Sequence, residues 1–258
     1  MSDNETLVLR ADADGVAWLT LNRPAARNAL SMPLMSALEE ALDAVEADPS
    51  VRVVVIAGAG SAFCAGHDLR EVRGADGSTH EKLFAQCSRL MQRITGLRMP
   101  VIARVHGVAT AAGCQLVATC DLAIAADSAR FATPGVNIGL FCSTPMVALT
   151  RAVGRKAAME MLLTGDMVSA DEAVRLGMVN RAVPQGALDD AVWALARKIA
   201  AKSRAVVALG KPAFYRQAEM PLADAYAYTS DVMVRNMRER DAAEGIDAFL
   251  QKRAPVWA

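Results

Sequence analysis

The chain has no run of about 18 apolar residues, the length a membrane-crossing helix needs, so no span is expected. It has no excess of either charge: 28 basic residues face 28 acidic ones, which argues against nucleic acid as a default partner and leaves only local patches to consider. The opening Met1-Ser2-Asp3-Asn4-Glu5 is polar and acidic, with no basic stretch leading into an apolar one, so no secretory signal is read there. Cysteines number only five, at 64, 87, 114, 120 and 142, and none falls at metal-ligand spacing. An odd count in a chain without a secretory signal points to free thiols in a reducing compartment, with the cytosol as the expected location. Internal repeats and low-complexity segments are also absent.

Apolar material is plentiful. Hydrophobic residues make up 53% of 258 positions and are spread through the chain, enough for one large α/β domain or a core with an appendage. Residues 7–10 and 16–22 read as short strands joined around Gly15, the second ending at Arg23-Pro24. Ser31 can cap a helix with Pro33 in its first turn and Leu34, Leu38, Leu42 and Val45 along one face, stopped by Asp48-Pro49. The β-branched run 51–57 has the character of a strand buried on both faces, and 101–105 and 122–125 repeat it. Strands alternating with helices predict an α/β fold with a largely parallel sheet. Ser169-Ala170-Asp171-Glu172 is a capping box whose helix ends near Gly177; a strand at 178–183 and an amphipathic helix at 188–201 follow. Strand signals then vanish. Residues 226–240 and 244–251 read as helical, which divides the chain into a core, 1–202, and a helical region, 203–258.

Three segments carry chemistry. Cys64-Ala65-Gly66-His67-Asp68-Leu69 follows a strand and a glycine turn; Ala65-Gly66 allows close approach of a ligand, and Asp68 can cap a short helix over 69–73. Taken alone, it could equally be an ordinary strand-to-helix turn. Gly107–Gln115 places small residues at 109 and 111–113 before an apolar helix, 114–120, whose first amides have no helical acceptor and suit an anionic oxygen. Taken alone, tight helix–strand packing accounts for it. The third segment is Phe131-Ala132-Thr133-Pro134-Gly135-Val136-Asn137-Ile138-Gly139.

Together these segments resemble the oxyanion-hole framework of the enoyl-CoA hydratase/isomerase (crotonase) superfamily. The resemblance runs through residues 21–30, through Gly165, Glu172-Ala173 and Gly177-Met178-Val179, and through Asp241-Ala242-Ala243-Glu244-Gly245 with 249–253. It therefore covers nearly the whole chain. Residues 107–115 with 131–143 look closest to the branch called enoyl-CoA hydratase domain-containing protein 3.

The resemblance implies a crotonase-like spiral of ββα units with a C-terminal helical trimerisation region, trimers commonly pairing into hexamers. It implies an acyl-CoA thioester as ligand, CoA entering as part of the substrate, with no separate cofactor and no metal. Carried over, the amides of His67 and Ala112 form the oxyanion hole. Ala26, Arg27, Ala65, Gly66, Asp68, Leu69, Gly113, Cys142 and Lys252 fall at substrate-binding positions, Lys252 near the CoA phosphates, often those of a neighbouring subunit. The two glutamates that perform acid–base chemistry in the family's hydratases are replaced by Gln115 and Gly135. Hydration needs a base for water and an acid for C2, so ordinary hydratase turnover is not expected. The alternatives left open are a lyase acting on a malonyl-type thioester, for which decarboxylases of the superfamily share Ala65–Asp68, and a non-catalytic acyl-CoA-binding oligomer. The His67 side chain is expected to point away from the ligand, Cys142 to line the pocket, Asp121 to be structural, His80 to lie in a solvated loop and His106 to orient backbone. Ser143, Asn137 and Glu71 complete the candidate proton carriers.

Overall fold

The computed structural model describes residues 6–74 and 76–258. The N-terminal residues 1–5, on which the expectation of no secretory signal rested, lie outside it. Strands β1 (Val8–Ala13) and β2 (Val16–Leu21) form an antiparallel hairpin in which Ala13 faces Val16. Its two-residue turn is Asp14-Gly15, both at positive φ (52° and 75°), the combination that matches the twist of paired strands. Helix α1 (Met32–Ala47) starts where the sequence predicts: Ser31 Oγ accepts from the Leu34 amide at 3.3 Å, and Leu34, Leu38, Leu42 and Val45 form the buried stripe.

Then β3 (Val53–Gly58) and β4 (Ala62–Cys64) lead into α2 (Leu69–Val72) and α3 (Gly77–Gly96). Next come β5 (Val101–Val105), β6 (Val108–Thr110) and α4 (Ala112–Thr119), followed by β7 (Leu122–Ala126), β8 (Arg130–Ala132), α5 (Pro145–Ala152) and α6 (Arg155–Thr164). The core closes with β9 (Val168–Ser169), α7 (Ala170–Leu176), β10 (Arg181–Val183) and α8 (Leu188–Ala200). Three helices end the chain: α9 (Arg204–Ala218), α10 (Leu222–Asn236) and α11 (Arg240–Leu250).

From β3 to β8, successive strand pairs divide between two sheets. The first strand of each joins a sheet ordered β1-β2-β3-β5-β7-β10, and the second joins β4-β6-β8-β9. Pairing is parallel throughout except β1 with β2 and β8 with β9, and each unit closes with a helix, giving a spiral of ββα turns. The run in β3 is apolar at every position because both faces are covered. Val54 and Ile56 join the main core with Leu38, Phe63, Leu90 and Phe131, while Val53 and Val55 meet Leu188, Val192 and Ala196 of α8.

Several expected boundaries move. The strand expected over 178–183 shortens to Arg181–Val183, because Gly177 (φ 88°) reverses the chain and the amides of Met178 and Val179 bond back to Ala173 O at 2.9 and 3.2 Å. The C-terminal helices run 222–236 and 240–250 rather than 226–240 and 244–251. Helix α9 was masked in the sequence by Gly210 and Pro212, and Pro212 lies within it. His80 sits in the first turn of α3, not in a loop. Asp76 caps that helix by accepting from the Thr79 amide at 2.8 Å, and His80 Nε2 lies 3.0 Å from Val72 O.

The helical region is anchored to the core through a buried charge. Lys211 Nζ on α9 pairs with Asp121 at 2.7 Å and donates to the carbonyls of Ile94 and Met99 at 2.9 and 3.0 Å. Asp121 also accepts from the Val101 amide at 2.7 Å and from the Tyr215 hydroxyl at 2.8 Å.

Candidate active site

The segments singled out in the sequence meet at the C-terminal ends of β3, β4, β5 and β6. Asn28 fixes the first of them. It is fully buried at φ 54°, accepts from the Arg23 amide at 2.9 Å, and donates to the carbonyls of Ala59 and Ala62, both at 2.8 Å. One side chain thus ties the 23–30 loop to the turn between β3 and β4. Leu30 continues the link, its amide bonding Gly66 O at 2.7 Å and its carbonyl accepting from Asp68 at 3.3 Å. In such parallel pairing the amide of the intervening residue, His67, is directed to the opposite side.

Against this loop lies a cleft of about 580 Å³ that gathers Ala26, Arg27, Asp68 and Leu69, with Arg23 and Arg70 on its walls. Arg23 pairs with Asp68 at 3.0 Å and donates to Ala29 O at 2.7 Å. That guanidinium and the Arg70 amide hold the Asp68 carboxylate below its ordinary range, against the opposing effect of burial. Arg27 and Arg70 are the cations left without an ion pair among the described residues of the cleft.

Gly66 brings the ends of β4 and β6 together. Its φ of 97° requires glycine, and a Cβ there would lie 2.9 Å from Ala111 Cβ, 3.1 Å from Thr110 O and 3.6 Å from the Ala112 nitrogen. Ala111 itself holds φ 50°, ψ −117°, a conformation non-glycine residues rarely adopt. That strained residue turns β6 directly into α4. Sequence reasoning noted the small residues here but missed the strain, because no residue type marks it. Ala112 opens the helix, so its N–H has no helical acceptor. The amides of Ala112 and His67 therefore lie beside one ligand-permissive glycine, and neither donates to backbone among the described residues. Gly113 seats α4 on β4: a Cβ there would overlap the Cys64 carbonyl.

Gln115 lies one turn into α4 and is buried. Its Oε1 is 3.8 Å from Cys87 Sγ, and its amide nitrogen has no partner among the described residues. Burial pushes the Cys64, Cys87 and Cys114 thiols up to about 12, so these groups stay neutral around it.

Gly135 is more decisive. A Cβ at this position would lie 2.7 Å from Leu140 O and 2.9 Å from Cys142 Sγ. The segment after Gly139, which turns at φ 77°, folds back so that the Leu140 amide bonds Gly135 O at 2.9 Å. Its Cys142 thiol takes the space a side chain at 135 would enter. Burial raises the pKa of Cys142, opposed by a hydrogen bond from Gly135, so the thiol stays protonated.

The His67 ring packs edge-on against Phe84 of α3, with centroids 5.6 Å apart, and Nδ1 lies 3.4 Å from Leu30 O. Its Nε2 is buried without a partner, and burial lowers its pKa, keeping the ring neutral near pH 7. His106 Nε2 meets Gly60 O at 2.9 Å. Glu71 accepts from the Met32 amide at 2.9 Å at the start of α1, and Ser143 Oγ lies 3.4 Å from Phe141 O. Lys252 is exposed beyond α11, and the cleft of its own chain does not include it. No group of three or more His, Cys, Asp or Glu side chains among the described residues could hold a metal. No described helix is long and apolar enough to cross a membrane.

Comparison with known proteins gives the family and the fold. The mitochondrial enoyl-CoA hydratase domain-containing protein 3 of Rattus norvegicus is 48% identical over 246 residues, covering 95% of this chain and 82% of that protein. The crystal structure of an enoyl-CoA hydratase from Mycobacterium smegmatis superposes with a TM-score of 0.96 at 57% identity, over 98% of this chain and 99% of that one. The crystal structure of human enoyl-CoA hydratase domain-containing protein 3 gives 0.95 at 47%, over 97% and 100%. The spiral is thus the crotonase fold expected from the sequence. The cytosolic expectation is overturned, since the rat relative is a mitochondrial protein by name. That expectation rested on free thiols, and all five are buried; a thiol out of reach of oxidants reports its burial and not its compartment. Residues 11–258 match the enoyl-CoA hydratase/isomerase family model, and the chain belongs to that family.

Proposed function

We propose that this protein binds acyl-CoA thioesters and stabilises a thioester enolate between the amides of His67 and Ala112. The observation that supports the reading is that a Cβ at Gly66 would stand 3.6 Å from the Ala112 nitrogen, so the Ala112 amide and that of His67, the residue after Gly66, flank the one position kept free of a side chain. Fixed donors of this kind, aimed at a developing oxyanion, are each worth roughly 10²–10³ in rate. Arg27 and Arg70 supply positive charge to the CoA phosphates, with Ala26 and Leu69 shaping the path; the family resemblance assigns the backbone of Ala65 and Gly113 and the Cys142 side chain to the acyl end. CoA is part of the substrate, and no further cofactor enters.

The acid–base pair of a hydratase has no counterpart. Gln115 cannot take a proton from water near neutral pH, and position 135 has no room for a carboxylate. Losing one such group costs roughly 10²–10⁴ in rate. The reading therefore favours a reaction that forms the enolate without a base, such as decarboxylation of a malonyl-type thioester. There the bond from C2 to the carboxylate breaks, CO₂ leaves, the electron pair enters the enolate, and water supplies the proton to C2.

The C-terminal helices support self-association. Leu222, Tyr226, Phe249 and Leu250 are between 70% and 82% exposed, an apolar surface that a lone chain leaves uncovered. A homotrimer, paired into a hexamer, would cover it and carry Lys252 of one copy toward the CoA phosphates of another.

A panel of enoyl-, hydroxyacyl- and malonyl-type CoA thioesters tests the proposal, with binding followed by calorimetry and turnover by product analysis. Turnover confined to the malonyl-type members is expected. Crotonyl-CoA hydration at ordinary hydratase rates would overturn the weight placed on Gln115 and Gly135. Binding with no turnover would favour a regulatory oligomer, and no binding of any thioester would end the whole reading.

A further inference from the structure

A second cavity, of about 340 Å³, lies at the opposite end of the sheet from the candidate active site. Arg52 immediately precedes β3 and Arg98 lies just before β5, whereas the thioester segments follow the C-terminal ends of those strands. The six residues of β3 therefore separate the two regions by about 20 Å. Four cations line the cavity: Arg52, Arg98, Lys202 and Arg204, drawn from three separate stretches of chain. Met99 and Ile199 give it an apolar floor.

None of the four makes an ion pair within 4.0 Å among the described residues, in a chain with as many acidic as basic groups. The Asp241 carboxylate beside them is already engaged, accepting from Ser203 Oγ at 2.5 Å and the Ala258 amide at 2.9 Å. Ala258 also lines the cavity. Arg52 is fixed in place, Nη1 lying 3.4 Å from Ala200 O and 3.3 Å from Lys202 O. The cavity also receives the start of the fifteen-residue helix α9. Its cap, Ser203, bonds the Val206 amide at 3.2 Å and leaves the amides of Arg204 and Ala205 without a helical acceptor. Gathered like charges repel, and an anion among them converts that repulsion into attraction.

We infer that this cavity binds a small phosphate-bearing molecule. The four cations and the helix start meet the phosphate, and the Met99–Ile199 floor meets a compact organic body; the volume is near the lower end for small-molecule sites. Such a site is separate from the CoA cleft and does not depend on the chemistry proposed there.

Calorimetry with inorganic pyrophosphate as probe tests it. The double variant Arg98→Ala/Lys202→Ala removes two exposed side chains that make no hydrogen bond among the described residues, so the fold should survive. Its affinity for pyrophosphate should fall at least tenfold, and the same loss should appear in an Arg27→Ala/Arg70→Ala background, where the CoA cleft no longer offers the probe its unpaired cations. Arg204→Gln, measured separately, should also weaken binding. Affinity lost only in the Arg27→Ala/Arg70→Ala variant would assign the anion to the CoA cleft and overturn the inference. So would unchanged affinity in Arg98→Ala/Lys202→Ala, or no binding by the unaltered protein at millimolar probe.

Discussion

Placing a side chain at Gly135 tests the central structural argument. The φ there is ordinary for any residue, so the cost of Gly135→Ala comes from space alone. A Cβ would sit 2.7 Å from Leu140 O and 2.9 Å from Cys142 Sγ, where ordinary contact begins at 3.4 Å. Leu140 O is backbone, held by the bond between its own amide and Gly135 O, so it cannot swing aside as a side-chain tip would. Overpacking of this kind costs about 1–3 kcal/mol, which in a chain of this size lowers Tm by about 2–4 °C for each kcal/mol. Urea denaturation followed by circular dichroism measures it. Gly135→Glu should be worse, since a carboxylate would also be driven into a buried, thiol-lined space. Cys142→Ala in the same chain should recover only part of the loss, because the Leu140 contact remains. Joint restoration, Gln115→Glu with Gly135→Glu, should therefore fail to raise crotonyl-CoA hydration. A Gly135→Ala protein as stable as the parent, or a doubly restored protein that hydrates well with its stability intact, would show that the 139–142 segment yields easily and that the reasoning is wrong.

Gly113→Ala should prevent α4 from seating on β4, lowering soluble yield or urea midpoint sharply; a normal midpoint would mean the helix can shift away from Cys64. Gly66→Ala forces a Cβ against Ala111 at φ 97° and should weaken thioester binding at least tenfold by calorimetry, with CoA alone less affected because Arg27 and Arg70 keep their side chains. Lys211→Met leaves Asp121 buried without its cation and removes a donor from Ile94 O and Met99 O, at a cost of about 3–5 kcal/mol in urea unfolding; a loss below about 1 kcal/mol would refute the anchoring role. Burial lowers the pKa of His67 and His106 from 6.5, so the folded state binds fewer protons than the unfolded one. Their contribution is then complete above about pH 6.5 and is lost as pH falls through the lowered values. Urea midpoints at pH 7.5 and 5.0 should show this loss, and His67→Phe should reduce it; an unchanged slope in that variant would remove His67 from the account.

Much of this protein follows from local chemistry. The Ser31 cap, the Asp14-Gly15 turn, the apolar stripe of α1 and the doubly buried β3 depend on neighbours in sequence, and each formed as its residues dictate. The segments 64–69, 107–115 and 131–139 were legible as a set because family resemblance links residues that composition and periodicity cannot. The sequence also shows that positions 115 and 135 carry no carboxylate. Helix α9 was hidden because Gly210 and Pro212 obscure a helix that Lys211 and Tyr215 hold from the core side through Asp121.

Other features arise only from packing distant segments together. Ala111 carries its strain where β6 turns directly into α4 against Gly66. Arg52, Arg98, Lys202 and Arg204 are scattered in sequence and become one charged cavity only when β3, β5 and α9 pack. At position 135 the sequence by itself determined that a side chain is missing. The tertiary structure decided that none fits, because Leu140 and Cys142 fold back into its volume and a filled space cannot be refilled without moving backbone.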